Sequence, residues 1–267
     1  MTRSSRVPCR AWLVEIFALG NLAFLALDVY IAHLINDFAH GAEWIPVVFS
    51  TLAPLLLLRG AWTGRFTQGA DWLLGVLVGA GALLVGLLGF LFHLESTFFR
   101  EQSLMNLVYT APFAAPLAYA GIGLLILLNR LHDLESRDWG RWVILLALAG
   151  SVGNLALALA DHAQNGFFHL TEWIPVVAAA GAIGFLSVAC FEIVERSFLR
   201  LCLALMGVQV LVAGLGLYLH LVADISSAGI LNFDDFVHGA PIFAPLLFAN
   251  LALLAAVGIW HLLKVAK

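Results

Sequence analysis

The sequence predicts an all-α integral membrane protein with eight transmembrane helices. They form two tandem four-helix repeats, residues 1–132 and 133–267, related by a pseudo-twofold axis along the membrane normal. Three observations predict this. Of 267 residues, 62% are hydrophobic and 11% charged, with a mean hydropathy of +0.98, far from the balance of a soluble globular domain. Eight apolar stretches reach the length of about 20 residues that a helix needs to cross the hydrocarbon. The hexapeptide Glu43-Trp44-Ile45-Pro46-Val47-Val48 returns unaltered 129 residues later as Glu172-Trp173-Ile174-Pro175-Val176-Val177, an identity that duplication of an ancestral half explains.

The eight segments run over residues 11–36, 41–58, 71–94, 105–130, 141–163, 170–192, 200–222 and 238–263, leaving little chain for a separate soluble domain. No small-residue cleavage site follows the first segment, which therefore reads as a retained span rather than a signal peptide. Span one carries Asn21 and Asp28, and span five carries Asn154 and Asp161 at an offset of 133. The first half thus has four extra residues, Val29 to Ala32, which turn the helix that follows by only about 40°. Short connections around 36–39 and 164–168 lead into spans two and six. Pro46 and Pro175 fall in their opening turns, where a missing N–H costs least. Spans three and seven end in His93-Leu94 and His220-Leu221 and are followed by polar loops over 95–103 and 222–232. Spans four and eight restart with Ala111-Pro112 and Pro116, matched by Ala240-Pro241 and Pro245.

Orientation follows from the arginines and lysines, which remain cytoplasmic. Twelve of the 13 fall on one side, at the N-terminus, in alternate connections and at the C-terminus, and Arg100 alone lies opposite. Both termini are expected in the cytoplasm of a bacterial inner membrane, with the other face periplasmic. Trp44 and Trp173 mark the outer interface, and Trp12, Trp62, Trp72, Trp139, Trp142 and Trp260 the inner one, as an aromatic belt requires. Ten of the 17 acidic residues and seven of the nine histidines lie in the outer half, an acidic, imidazole-rich face suited to cations. Cys9, Cys190 and Cys202 map to the cytoplasmic side, so no disulfide framework is implied. The partners expected are the lipid bilayer, a metal ion and other membrane subunits, with no nucleic acid.

The repeated unit reads His-x6-His-x2-Glu-Trp-Ile-Pro-Val-Val. His33, His40, Glu43 and His93 in the first half, and His162, His169, Glu172 and His220 in the second with His238 added, form a candidate metal-ligand set at one membrane level. Imidazoles with a carboxylate suit iron, copper or zinc rather than calcium or magnesium. Asp28 and Asp161 are candidates to orient a ligating imidazole, and Glu95, Asp224, Asp234 and Asp235 are further ligands or a cation funnel. Tyr109 stands where the second half has His238. A single interfacial histidine is most simply a polar residue avoiding lipid, but polar residues at membrane depth are expensive, and a duplicated set is harder to explain that way. The first functional reading is therefore a membrane metalloprotein performing redox or metal-activated-water chemistry at the outer face. The second is haem ligation by His33 with His93 and His162 with His220. The third is a metal or proton transporter, for which the membrane interior offers only Asn21, Ser50, Thr51, Asn154, Gln209 and Asn250. The fourth is a scaffold subunit.

Overall fold

In the computed structural model the described residues are 7–34, 37–228 and 243–265, all helical or connecting, with no strand among them. The helices are α1 (Cys9–Leu34), α2 (Trp44–Thr63), α3 (Gly69–His93), α4 (Thr97–Arg100), α5 (Leu104–Tyr109), α6 (Leu117–Leu131), α7 (Arg137–Gln164), α8 (Trp173–Phe191), α9 (Arg196–Ala228) and α10 (Leu246–Val265). A 3-10 turn precedes α2 at Gly41–Glu43 and α8 at Leu170–Glu172. Seven helices, α1, α2, α3, α7, α8, α9 and α10, are long and apolar enough to cross a membrane when α2 and α8 are counted with their 3-10 turns. The chain is an all-α membrane protein.

The segment predicted over 105–130 is not one helix. It breaks into α5, a non-helical stretch through Ala111 and Pro116, and α6. Pro112 and Pro116 explain the break, because each lacks a backbone donor and disfavours helix in the residue before it. What remains, α6, has 15 residues and a length of about 22 Å, short of the roughly 30 Å of hydrocarbon. The connection after α3 contains α4, and α9 continues to Ala228, past the predicted end at 222. Asp234, Asp235 and His238 lie outside the described residues, as does the side chain of Tyr109.

The chain divides into two compact units, Met1–Glu95 with Phe113–Trp139 and Ser96–Pro112 with Gly140–Lys267. In the first, α1 packs on α2 and α6, and α3 packs on the same two helices. That is a four-helix arrangement with α1 and α3 on one diagonal. Ala18, Leu19 and Leu22 of α1, Ala53, Leu57 and Ala61 of α2, Val78 of α3, and Tyr119, Ile122 and Ile126 of α6 form its core. Between α3 and α6 the backbones nearly touch. A Cβ on Gly123 would strike the Gly79 carbonyl and the Leu83 amide, the close approach that small residues permit between membrane helices. In the second unit Ala179 of α8, Ala213 of α9 and Phe248 of α10 meet, with Leu155 and Ala158 of α7 packed against them.

The first unit also buries a full ion pair. Arg130 reaches Glu15 through two nitrogens, at 2.5 and 2.6 Å, and both side chains are 0% exposed. Asn129 donates to Glu15 and to the Ala11 carbonyl, and accepts from the Trp139 indole. The guanidinium lies over the Phe66 ring, 5.3 Å from its centroid. Gly75 opposite leaves the room, since a Cβ there would overlap the Arg130 side chain. At the repeat offsets, Glu15 corresponds to Leu148 and Arg130 to Ile259, both buried, so the second unit carries no such charge at these positions.

Removing one member of a buried pair strands the other charge. Arg130→Met alone is expected to destabilise the protein by about 3 to 5 kcal/mol. The double variant E15L/R130I, which copies the second unit's residues, is expected to recover most of that loss. Thermal denaturation in detergent decides it, and a double variant as damaged as the single one contradicts the desolvation argument.

Candidate functional site

Each unit builds the start of its site from one helix C-terminus. His33 lies in the last turn of α1 and His162 in the last turn of α7. After each, the chain closes a Schellman motif. The Phe38 amide donates to the His33 carbonyl at 3.2 Å and the Asp37 amide to the Leu34 carbonyl at 3.1 Å. In the second unit Phe167 donates to His162 and Gly166 to Ala163, both at 3.0 Å. These paired bonds satisfy carbonyls that the helix end would leave open and force the residue after the cap into the left-handed region. That residue is Asp37 (φ 54°) in one motif and Gly166 (φ 70°) in the other, and the phenylalanines that follow have φ of 53° and 52°. The motif also brings its last residue back onto the helix. Phe38 lies 6.0 Å from the His33 ring, and Phe167 lies 6.1 Å from the His162 ring. Each phenylalanine then stacks on the tryptophan of the repeated hexapeptide, at 4.1 Å on Trp44 and 4.0 Å on Trp173. The hexapeptide's invariance has a local physical meaning: its tryptophan fixes the hairpin that carries the histidine.

In the first unit His33 faces His93, the last residue of α3, with ring centroids 6.4 Å apart and the planes at 68°. The two rings come from helices on the diagonal of the bundle, at the end where both helices present their negative C-terminal dipoles, a favourable place for a cation. His33 Nδ1 lies 2.9 Å from the Val29 carbonyl. A carbonyl only accepts, so Nδ1 carries the proton, and in the neutral ring Nε2 keeps its lone pair. The orienting acceptor of His33 is thus the Val29 backbone. Asp28 is half-buried and makes no hydrogen bond among the described residues. Glu43 is half-buried, with one carboxylate oxygen shielded from solvent, whereas His40 and Glu95 are exposed.

In the second unit His162 Nδ1 lies 3.6 Å from Glu172 Oε2, both side chains being 17% exposed. The other oxygen, Oε1, accepts the His169 amide at 3.2 Å. The Glu172 amide in turn donates to the His169 carbonyl at 3.0 Å, a reciprocal cap on the 3-10 turn. This holds the carboxylate beneath the imidazole. The His169 ring is exposed, His220 on α9 is half-buried, Asp224 one turn further is buried, and Asp161 is half-buried. Among the described residues no group of three or more His, Cys, Asp or Glu side chains is close enough to hold a metal ion. The structure brings the predicted residues together as the pairs His33 with His93 and His162 with Glu172, and the second unit's remaining candidates include the undescribed His238.

A further polar group, joining Ser50 to Tyr119, lies in the first unit. Ser50 Oγ donates to the Pro46 carbonyl at 2.7 Å, and the Tyr119 hydroxyl, 2.5 Å from Ser50 Oγ and 3.2 Å from the same carbonyl, has one proton to share between them. Tyr119 lies in the first turn of α6, and Ser50 two turns into α2. The corresponding residues 129 positions later are Ala179 and Phe248, so the second unit lacks both hydroxyls there. The available signal was this pairwise loss of oxygen between matched positions. No protein-family model matches the chain, and neither does any curated protein or solved structure.

Asp37 occupies the left-handed position that glycine fills in the second motif. Asp37→Gly is expected to stabilise the protein by up to about 1 kcal/mol by removing the Cβ from that conformation, and Asp37→Val to destabilise it. Unfolding midpoints of the two variants test this, and a lower midpoint for Asp37→Gly contradicts it.

Proposed function

We propose that the chain is a polytopic inner-membrane metalloprotein of eight spans in two related halves. Both termini are cytoplasmic, and iron, copper or zinc is held at the periplasmic face, in a membrane oxidoreductase or an enzyme that uses metal-activated water. The observation that carries this reading is His33. Its Nδ1–H is committed to the Val29 carbonyl while its ring faces His93 from the opposite corner of the bundle, and a metal-ligating imidazole is held in that way, by a bond from its other nitrogen. The donor chemistry fits, since a neutral imidazole offers a free Nε2 of the borderline kind that these ions prefer. Two helix C-termini favour positive charge at the same place.

In the first half His33 and His93 are the primary donors, and His40 and Glu43 on the connecting hairpin complete the set. In the second half His162, His169, His220 and His238 are the donors, and Glu172 is the carboxylate that orients His162. An ion bound there supplies either electron exchange or a water made acidic enough to act as a nucleophile near neutral pH. The chain's own contribution is to fix the rings, to concentrate cations at an acidic outer surface and to keep the hairpins rigid through the phenylalanine–tryptophan stacks.

Haem is the second reading, favoured by one observation: haem iron needs only two protein donors, and the described residues of the first unit offer a facing pair of imidazoles outside any group of three His, Cys, Asp or Glu side chains. Elemental analysis and a visible spectrum of the purified protein separate the two. The metalloprotein reading predicts a transition metal that H33A and H93A each reduce, the ion held by the second half's donors remaining, and that H132A, at the other end of the bundle, leaves unchanged. Full metal content in both H33A and H93A would overturn it. A Soret band near ~410 nm, lost in H93A, would select haem.

A further inference from the structure

Inside the second unit lies a small enclosed cavity walled by Ser151 and Asn154 of α7, Ala179, Ala182 and Leu186 of α8, Met206 and Gln209 of α9, and residues of α10. Its walls include two buried carboxamides, Asn154 on α7 and Gln209 on α9. Asn154 is 8% exposed, and its Nδ2 is buried without a hydrogen-bond partner. Gln209, 6% exposed, uses its Nε2 to donate to the Ala178 carbonyl at 2.7 Å, and its Oε1 has no acceptor bond among the described residues. Ser151 Oγ donates to the Ala147 carbonyl at 2.8 Å, which leaves its lone pairs able to accept. The wall therefore offers one unmet donor, with Gln209 Oε1 and Ser151 Oγ able to accept.

We propose that this cavity is a binding site for a single water molecule that joins α7 to α9 in the interior of the bundle. The cavity leaves about 10 Å³ open to the centre of a water molecule, close to the ~10–15 Å³ that one buried water needs. The water accepts from Asn154 Nδ2 and donates to Gln209 Oε1 and Ser151 Oγ, three bonds within the two to four such waters make. Without it, a carboxamide donor is stranded in a medium where nothing else can satisfy it. A cation is disfavoured, because no carboxylate lines the cavity and the strongest unmet group is a donor. The corresponding residue of the first unit, Asn21, has no such need, since its Nδ2 donates to the Phe17 carbonyl of its own helix at 2.8 Å.

The test is a structure of the wild-type protein in lipid at a resolution that shows ordered water, together with the thermal midpoint of N154L. One density peak within hydrogen-bonding distance of Asn154 and Gln209 is the expected result. An empty cavity, or a peak with the short multiple contacts of a cation, overturns the proposal. N154L is expected to melt below wild type, because expelling the water leaves Gln209 Oε1 and Ser151 Oγ without their donor. A higher midpoint would show that Asn154 had been an unmet group in a dry cavity. Should N154L fail to fold, the wild-type density decides alone.

Discussion

In hydrocarbon no solvent satisfies a polar group, so each one inside the bundle must find its partner in the protein or in a trapped molecule. Much of the internal structure of this chain follows from that constraint. The Glu15 carboxylate is tolerable only because Arg130 closes on it with two nitrogens and Asn129 adds a third donor. The Tyr119 hydroxyl enters α6 only because Ser50 and the Pro46 carbonyl stand opposite. Pro54 inside α2 removes an N–H that would have bonded the Ser50 carbonyl. His33 is held by its own helix through Val29.

The same constraint explains how the two halves differ. Where one half keeps a polar pair, the other shows apolar residues at both matched positions. Glu15 and Arg130 are answered by Leu148 and Ile259, and Ser50 and Tyr119 by Ala179 and Phe248. Loss of one partner alone would strand the other in the core, so such pairs are expected to change together. The hairpins behave otherwise. Both keep the histidine, the phenylalanine, the second histidine, the glutamate and the tryptophan, and they build the same cap and stack.

The membrane class and most helices were legible in the sequence, because a run of apolar residues is a local signal that needs no knowledge of neighbours. The hairpin histidines were legible for a related reason: their spacing to Trp44 and Trp173 repeats identically. The break inside the fourth segment was not legible because Ala111 to Pro116 is apolar enough to look continuous, while the two prolines act on backbone geometry rather than on hydropathy. Glu15 and Arg130 escaped notice because they stand 115 residues apart. One is a lone acid in an apolar segment, and the other looks like an ordinary cytoplasmic arginine at the end of a span. The facing of His33 and His93 likewise depends on which helices stand diagonally, which no single stretch encodes. The pairing of Glu172 with His162 became visible only with the reciprocal cap.

The central claim is that imidazoles at the mouth of the bundle bind a transition metal directly. X-ray absorption at the edge of whichever of iron, copper or zinc the purified protein retains tests this most directly. The account predicts scattering from at least two imidazole rings with nitrogen near ~2.0–2.1 Å, and loss of the first half's ion in the H33A/H93A double variant while the second half's donors keep theirs. An oxygen-only shell, or failure to retain any of the three ions after saturation and washing, would contradict it.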